Sequence, residues 1–181
     1  MKANTLFPGI FRVKKLNKQT HLHGLEKFHC SLDDTFGLDD FIHKEAFDYQ
    51  QKDMGTTYLF YNDTDEIVGY VTVAMGSIKK KNVSLPDDDC DAKEHFPALW
   101  LGRLAVYNEQ RGAGIGTYLL EWCFGFAEKE SRHIGCRFIV LVTKGERRTK
   151  FYVDRSFKVS TVKLSEGKKL LFFDLHGRKD L

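Results

Sequence analysis

The stretch RGAGIG, Arg111 to Gly116, places three glycines at alternate positions, after an apolar run and before an apolar helical pattern. Glycines in such a turn let backbone N–H groups face inward and approach an anion closely, and the start of the following helix adds its partial positive charge. The chemistry this allows is phosphate binding. Two widespread forms of it do not fit the residues. A dinucleotide fingerprint reads GxGxxG, with an acidic residue roughly 20 positions on at the end of the next strand. Here the spacing is Gly112-x-Gly114-x-Gly116, and the next strand ends in VTKG without a carboxylate. A nucleoside-triphosphate loop closes on Gly-Lys-Ser/Thr, whereas Gly116 is followed by Thr117 with no lysine.

The elements that must position this turn are legible on both sides of it. ALWLGRLAVY (98–107) reads as a strand, and 115–130 as a helix turning Leu119, Leu120, Cys123, Phe126 and Ala127 inward. FIVLVT (138–143) has the nearly unbroken apolar character of a strand buried on both faces. GERRTKFYVDRSF (145–157) begins as a short basic helix, and TVKLSEGKKLLFFDL (161–175) reads as strand, turn, strand. Before the turn, the spacing predicts a first strand over 10–16, helices over 20–30 and 38–51, and a hairpin of strands 56–61 and 67–75 around NDTDE. Residues 76–97 break the pattern and read as a loop or short hairpin extension. This order implies an α+β sheet with an antiparallel start and at least one strand–helix–strand crossover.

The 181 residues, 42% hydrophobic and 13% aromatic, suit one domain with a core of its own over 1–181, and exclude a disordered chain. No apolar run approaches the roughly 18 residues of a membrane span, and MKANTLFPGIFRVKK lacks the pattern of a signal peptide. Cys30, Cys90, Cys123 and Cys136 are scattered without a CxxC, as expected of reduced thiols in a cytoplasmic protein. The net charge of +3 is uneven: residues 143–181 carry 11 Lys/Arg against 5 Asp/Glu. A basic C-terminal third suits an anionic partner, whether a phosphate-bearing cofactor, a nucleic acid or both, or is simply a solvated surface.

Arg111-x-x-Gly114-x-Gly116 between strand and helix resembles motif A of the GNAT superfamily of acetyl-CoA-dependent N-acetyltransferases. The preceding LGRLAV resembles the family's fourth strand, and KFYVDRSF its Phe-Tyr segment. The resemblance implies a central mixed, mostly antiparallel sheet, splayed between its fourth and fifth strands and flanked by helices, with acetyl-CoA as cosubstrate in the splay. Carried over residue by residue, it implies that Leu104, Ala105 and Val106 offer backbone groups to the pantetheine arm and thioester. The Val106 N–H would face the oxyanion. Arg111, Gly112, Ala113, Gly114, Ile115, Gly116 and Thr117 would bind the pyrophosphate, and Tyr152 would protonate the departing sulfur. Ser156 stands where the family usually has glycine, and Gly145 and Arg148 where many members have Asn and Ala. Dimerisation is common in such folds, so a homodimer is an open expectation.

The resemblance implies that the acceptor is a primary amine, on a small molecule or on an aminoacyl-tRNA. Many relatives carry a glutamate on the fourth strand, but PALWLGRLAV has neither carboxylate nor histidine. An ε-amine, with a pKa of about 10.4, gains more from a base than an α-amine near ~7.7–8, which esterification lowers further. The segments FHCSLDDTFGLDDFIHKEAF, VGYVTVAM and LGRLAV…QRGAGIGTYLL resemble the branch of toxins that acetylate the amino acid on charged tRNA. On that reading Arg147, Arg148 and Lys150 contact RNA phosphates. A non-catalytic acyl-CoA-binding module is the alternative from another class. No metal is expected: His21 and His23, two apart, do not share a helix face, and the acidic PDDDCD (86–91) lacks the spacing of a calcium loop.

Overall fold

The computed structural model describes residues 12–30, 36–84 and 94–176. The acidic stretch 86–91, Cys90, Ser31 and the beginning of the expected first strand lie outside these residues, as do the side chains of Leu22 and His23. Among the described residues seven strands hydrogen-bond in the order β1-β2-β3-β4-β5-β7-β6, a mixed sheet with β4 and β5 parallel. The elements are β1 (Arg12–Lys15), α1 (Lys18–His23), α2 (Leu38–Asp40), a π-helical turn (Phe41–Glu45), α3 (Ala46–Gln51), β2 (Thr56–Tyr61), β3 (Ile67–Lys79), β4 (His95–Val106), α4 (Ile115–Glu130), β5 (Phe138–Lys144), α5 (Glu146–Val153), β6 (Lys158–Val159) and β7 (Lys168–Asp174). Among the described residues no helix is long and apolar enough to cross a membrane.

The chain forms two compact units, and β3 and β4 each contribute to both. Among the described residues the first comprises 12–30, 36–73 and 103–123. In it β1, β2 and β3 run antiparallel, with Val13 opposite Phe60 and Leu59 opposite Tyr70. Leu25, Phe28, Phe41, Ile42, Leu59, Tyr70 and Ala105 form its apolar cluster. The fully buried Tyr70 retains a partner for its hydroxyl, which donates to Leu38 O at 2.7 Å. Buried Thr57 and Thr72 satisfy one another across the β2–β3 ladder at 2.8 Å. Asn17 caps α1 by accepting from Thr20 N, and Gly24 ends it. The helix expected to run to residue 30 therefore stops early, and Leu25 and Phe28 are buried from the segment beyond it. The expected helix over 38–51 is present, with a π-helical turn at its centre that periodicity does not reveal.

Among the described residues the second unit comprises 74–84, 94–102 and 124–176. Ala98, Leu99 and Trp100 of β4 pair in parallel with Phe138, Ile139 and Val140 of β5, and β7 lies antiparallel to both β5 and β6. Ile78, Phe96, Phe138, Val140, Leu170 and Phe172 pack together. Arg137 and Asp174 join the ends of β5 and β7 through two hydrogen bonds of 2.7 and 2.8 Å. Within the segment 76–97, β3 continues to Lys79 and β4 already starts at His95, while residues 85–93 lie outside the described residues. The strand expected over 161–164 is instead Lys158–Val159, which the ladder with Leu171 and Phe172 selects.

Gly145 precedes α5 with φ 86° and ψ 148°, a region open essentially to glycine alone. Its carbonyl accepts from both the N–H and the hydroxyl of Thr149, at 3.1 and 2.9 Å. Gly145→Ala is therefore expected to lower the unfolding free energy by about 1–3 kcal/mol, read as a lower denaturation midpoint at unchanged m value.

Candidate active site

β4 delivers the chain to the glycine turn, and α4 begins immediately after it. Gly112 and Gly114 have φ of 87° and 83°, conformations that L side chains rarely adopt, so the turn itself requires these glycines. A Cβ at Gly112 would meet nothing within 4 Å. Arg111, Gly112, Ala113 and Gly114 are exposed, Ile115 is buried, and Gly116 and Thr117 are half-buried. An α-helix leaves its first N–H groups without intrahelical acceptors. At this one the N–H groups of Thr117 and Tyr118 converge on Gly114 O at 3.0 and 3.2 Å. The first turn of α4 carries no acidic residue that would compete for an anion. The guanidinium of Arg111 donates to the carbonyl of Cys30, which ties the turn to the segment before α2.

The backbone at the end of β4 has a definite direction. The N–H of Tyr107 donates to Val68 O on β3 at 2.8 Å. Strand residues alternate the edge to which their N–H and C=O point, so the Val106 N–H and the backbone groups of Leu104 face away from β3. Ala105 faces the other way: its side chain is in the core, and its carbonyl lies toward Gly69. A Cβ at Gly69 would stand 2.8 Å from that oxygen and 2.9 Å from the Leu119 side chain. The missing side chain at Gly69 thus seats the Ala105–Val106 peptide, a positioning role that sequence spacing gives no sign of.

In the second unit, Tyr152 lies on the last turn of α5, half-buried, its ring edge-on to Phe151 and Phe157 with centroids 5.0 and 5.6 Å away. Its carbonyl accepts from the N–H groups of Arg155 and Phe157, which closes the helix. Ser156 in this turn has φ 67°. That left-handed conformation is the physical reason a glycine suits the position, and the serine bears it as a strained residue. Arg147, Arg148 and Lys150 are exposed on α5, with Lys150 paired to Asp154 at 3.0 Å. Burial pushes the thiols of Cys123 and Cys136 up, so neither is disposed to act as a nucleophile.

A model of the acetyltransferase (GNAT) family matches residues 25–157. The chain belongs to this family. It is an acetyltransferase, and its mixed sheet with a parallel β4–β5 pair and flanking helices has the GNAT form. The chain is similar to a tRNA-acetylating toxin of Mycobacterium tuberculosis (strain ATCC 25618 / H37Rv), at 26% identity over 129 residues, covering 68% of this chain and 73% of the toxin. Among solved structures it shares its fold with AtaT complexed with acetyl-methionyl-tRNAfMet, at TM-score 0.80 and 18% identity, covering 93% of this chain and 96% of AtaT. It also shares the fold of a tyrosine-to-phenylalanine variant of KacT, at TM-score 0.77 and 18% identity, over 93% and 97% of the two chains. A structure of AtaTR bound with AcCoA matches at TM-score 0.72 and 20% identity, over 93% of this chain and 95% of the other.

Proposed function

We propose that this GNAT chain transfers acetyl directly from acetyl-CoA to a primary amine, and that the amine is the α-amino group of an aminoacyl-tRNA. The observation that carries the transfer is the pairing of two features in the first unit. One is an acid-free helix start behind a positive-φ glycine turn, and the other is a strand end whose Val106 N–H points away from β3. Arg111, Gly112, Ala113, Gly114, Ile115, Gly116 and Thr117 hold the pyrophosphate. Leu104 and Val106 present backbone groups to the pantetheine arm, and Ala105 anchors the peptide between them. The neutral amine attacks the thioester carbonyl carbon, and the oxyanion forms against the Val106 N–H. The C–S bond then breaks, with the Tyr152 hydroxyl supplying a proton to sulfur and the ammonium losing one to water.

The acceptor follows from charge and pKa. Residues 98–106 contain no carboxylate or histidine to serve as base. An α-amine on an ester is partly neutral near pH 7, whereas an ε-amine with pKa of about 10.4 is not. The exposed Arg147, Arg148 and Lys150 of α5 suit a polyanion, and the M. tuberculosis relative is a tRNA-acetylating toxin. The reading places the chain in the cytoplasm, with charged tRNA, and carries the homodimer common among such folds as an expectation for solution mass measurements.

The test is transfer of label from acetyl-CoA to three acceptors in parallel: a panel of polyamines and amino acids, a lysine peptide, and bulk aminoacyl-tRNA. Label on charged tRNA, falling steeply as salt rises, is the expected result. Label on the small amines or the peptide alone would keep the transferase and overturn the acceptor. Acetyl-CoA binding without transfer to any of them would favour the binding module.

A further inference from the structure

His29, Asp39 and His43 come together in the first unit, each contributing a ring nitrogen or a carboxylate oxygen within 4.8 Å of the other two. Asp39 and His43 stand one helical turn apart, and spacing of four puts them on one face. The π-helical turn that contains His43 begins at Phe41, and such turns recur at functional sites. His29 approaches from the preceding segment, its ring centroid 5.6 Å from that of His43 and tilted by 43°. The two helical residues grip the backbone on either side of it. Asp39 Oδ1 accepts from Cys30 N at 2.8 Å, and His43 Nε2 lies 2.8 Å from Phe28 O.

That last contact fixes the chemistry of His43. A carbonyl oxygen only accepts, so Nε2 carries the hydrogen, and in the neutral ring Nδ1 keeps its lone pair. A ring whose other nitrogen donates to a backbone carbonyl, and a carboxylate that accepts from an N–H, are the outer contacts that orient metal ligands. Two imidazoles and one carboxylate make a donor set suited to zinc with a fourth position open. The set is too rich in nitrogen for magnesium or calcium and lacks the soft sulfur that selects Cu(I).

We propose that His29, Asp39 and His43 bind a divalent zinc-like ion. Metal–ligand bonds of about 2.0–2.2 Å place tetrahedral ligand atoms about 3.3–3.6 Å apart. The separations of up to 4.8 Å therefore close on binding, and His29 is exposed and can turn its ring to close them. The ion ties the Phe28–Cys30 segment to the helix. The same segment accepts from Asn108 N through His29 O at 2.8 Å, and from Arg111 through Cys30 O. Metal occupancy is thereby coupled to the glycine turn.

The experiment needs no substrate, so its outcome is independent of the acetyl-transfer reading. The full chain, stripped with a chelator, is titrated with zinc against a chromophoric competitor, and with cobalt for the visible absorption of a tetrahedral site. One zinc per chain is expected. His29→Ala and His43→Gln should each weaken binding at least about tenfold, while His176→Gln, outside the cluster, retains wild-type affinity. The exposed His29 makes the first variant safe for folding, and circular dichroism checks the second. Failure to bind one zinc per chain, or binding that either substitution leaves unchanged, would overturn the site and leave Asp39 and His43 as a purely structural clamp on the 28–30 backbone.

Discussion

Gly69→Ala is expected to slow acetyl transfer by about tenfold to 10²-fold while leaving a folded protein. The added methyl would meet Ala105 O at 2.8 Å and Leu119 Cδ2 at 2.9 Å. The leucine end can rotate away, but the carbonyl belongs to the same rigid peptide as the Val106 N–H. Pushing the oxygen therefore re-aims the donor proposed to face the oxyanion. Losing such a donor outright costs about 10²–10³ in kcat, and a displacement of about 1 Å can cost 10²-fold. Overpacking should lower stability as well, by about 1–3 kcal/mol. Gly125→Ala supplies the comparison: it is an exposed position inside α4 where a Cβ meets nothing within 4 Å, so it should gain about 0.5–1 kcal/mol with unchanged kcat. If Gly69→Ala lost stability but kept kcat, the oxyanion would have to be stabilised elsewhere than at Val106.

Tyr152→Phe should reduce kcat by about 10²-fold, the lower end of the range for a general acid, with little change in the KM for acetyl-CoA. The low end is expected because a thiol with pKa near ~8.5 can depart as thiolate without full proton transfer from a phenol near ~10. The ring contacts with Phe151 and Phe157 do not need the hydroxyl, so unfolding midpoints should stay close to wild type. Steady-state kinetics on the acceptor that takes label separate the outcomes. A raised KM at constant kcat would make Tyr152 a binding residue. No change in either parameter would remove it from the reaction.

What could be read from the amino-acid order divides along the range of the interactions involved. The helix over 115–130 was legible to its ends, because a glycine turn starts it and its apolar face is set by local periodicity. The turn was legible because Gly112 and Gly114 are required by their own φ values. The second-unit hairpin was misplaced by a few residues: TVKL looks as strand-like as the Lys158–Val159 pair that the β7 ladder selects. Within the site, the direction of the Val106 N–H emerges only with the Tyr107–Val68 hydrogen bond. The close approach of Gly69 to Ala105 and Leu119 is likewise a long-range fact. Asp39 and His43 had the spacing of helix neighbours, but nothing local brought His29 to them. The usual glycine at position 156 acquires its reason from the positive φ that Ser156 adopts.

The two compact units are each discontinuous in the chain. During synthesis the first cannot complete until residues 103–123, with the glycine turn and the first half of α4, have left the ribosome. The antiparallel β1–β3 portion must therefore wait, with part of its apolar surface uncovered, while the whole of residues 74–102 is made. A nascent chain released before residue 123 should engage holdase chaperones, and one extended well past it should resist protease across β2 and β3 up to residue 73. Vectorial synthesis thus makes the phosphate-binding turn a late arrival in the unit that it serves.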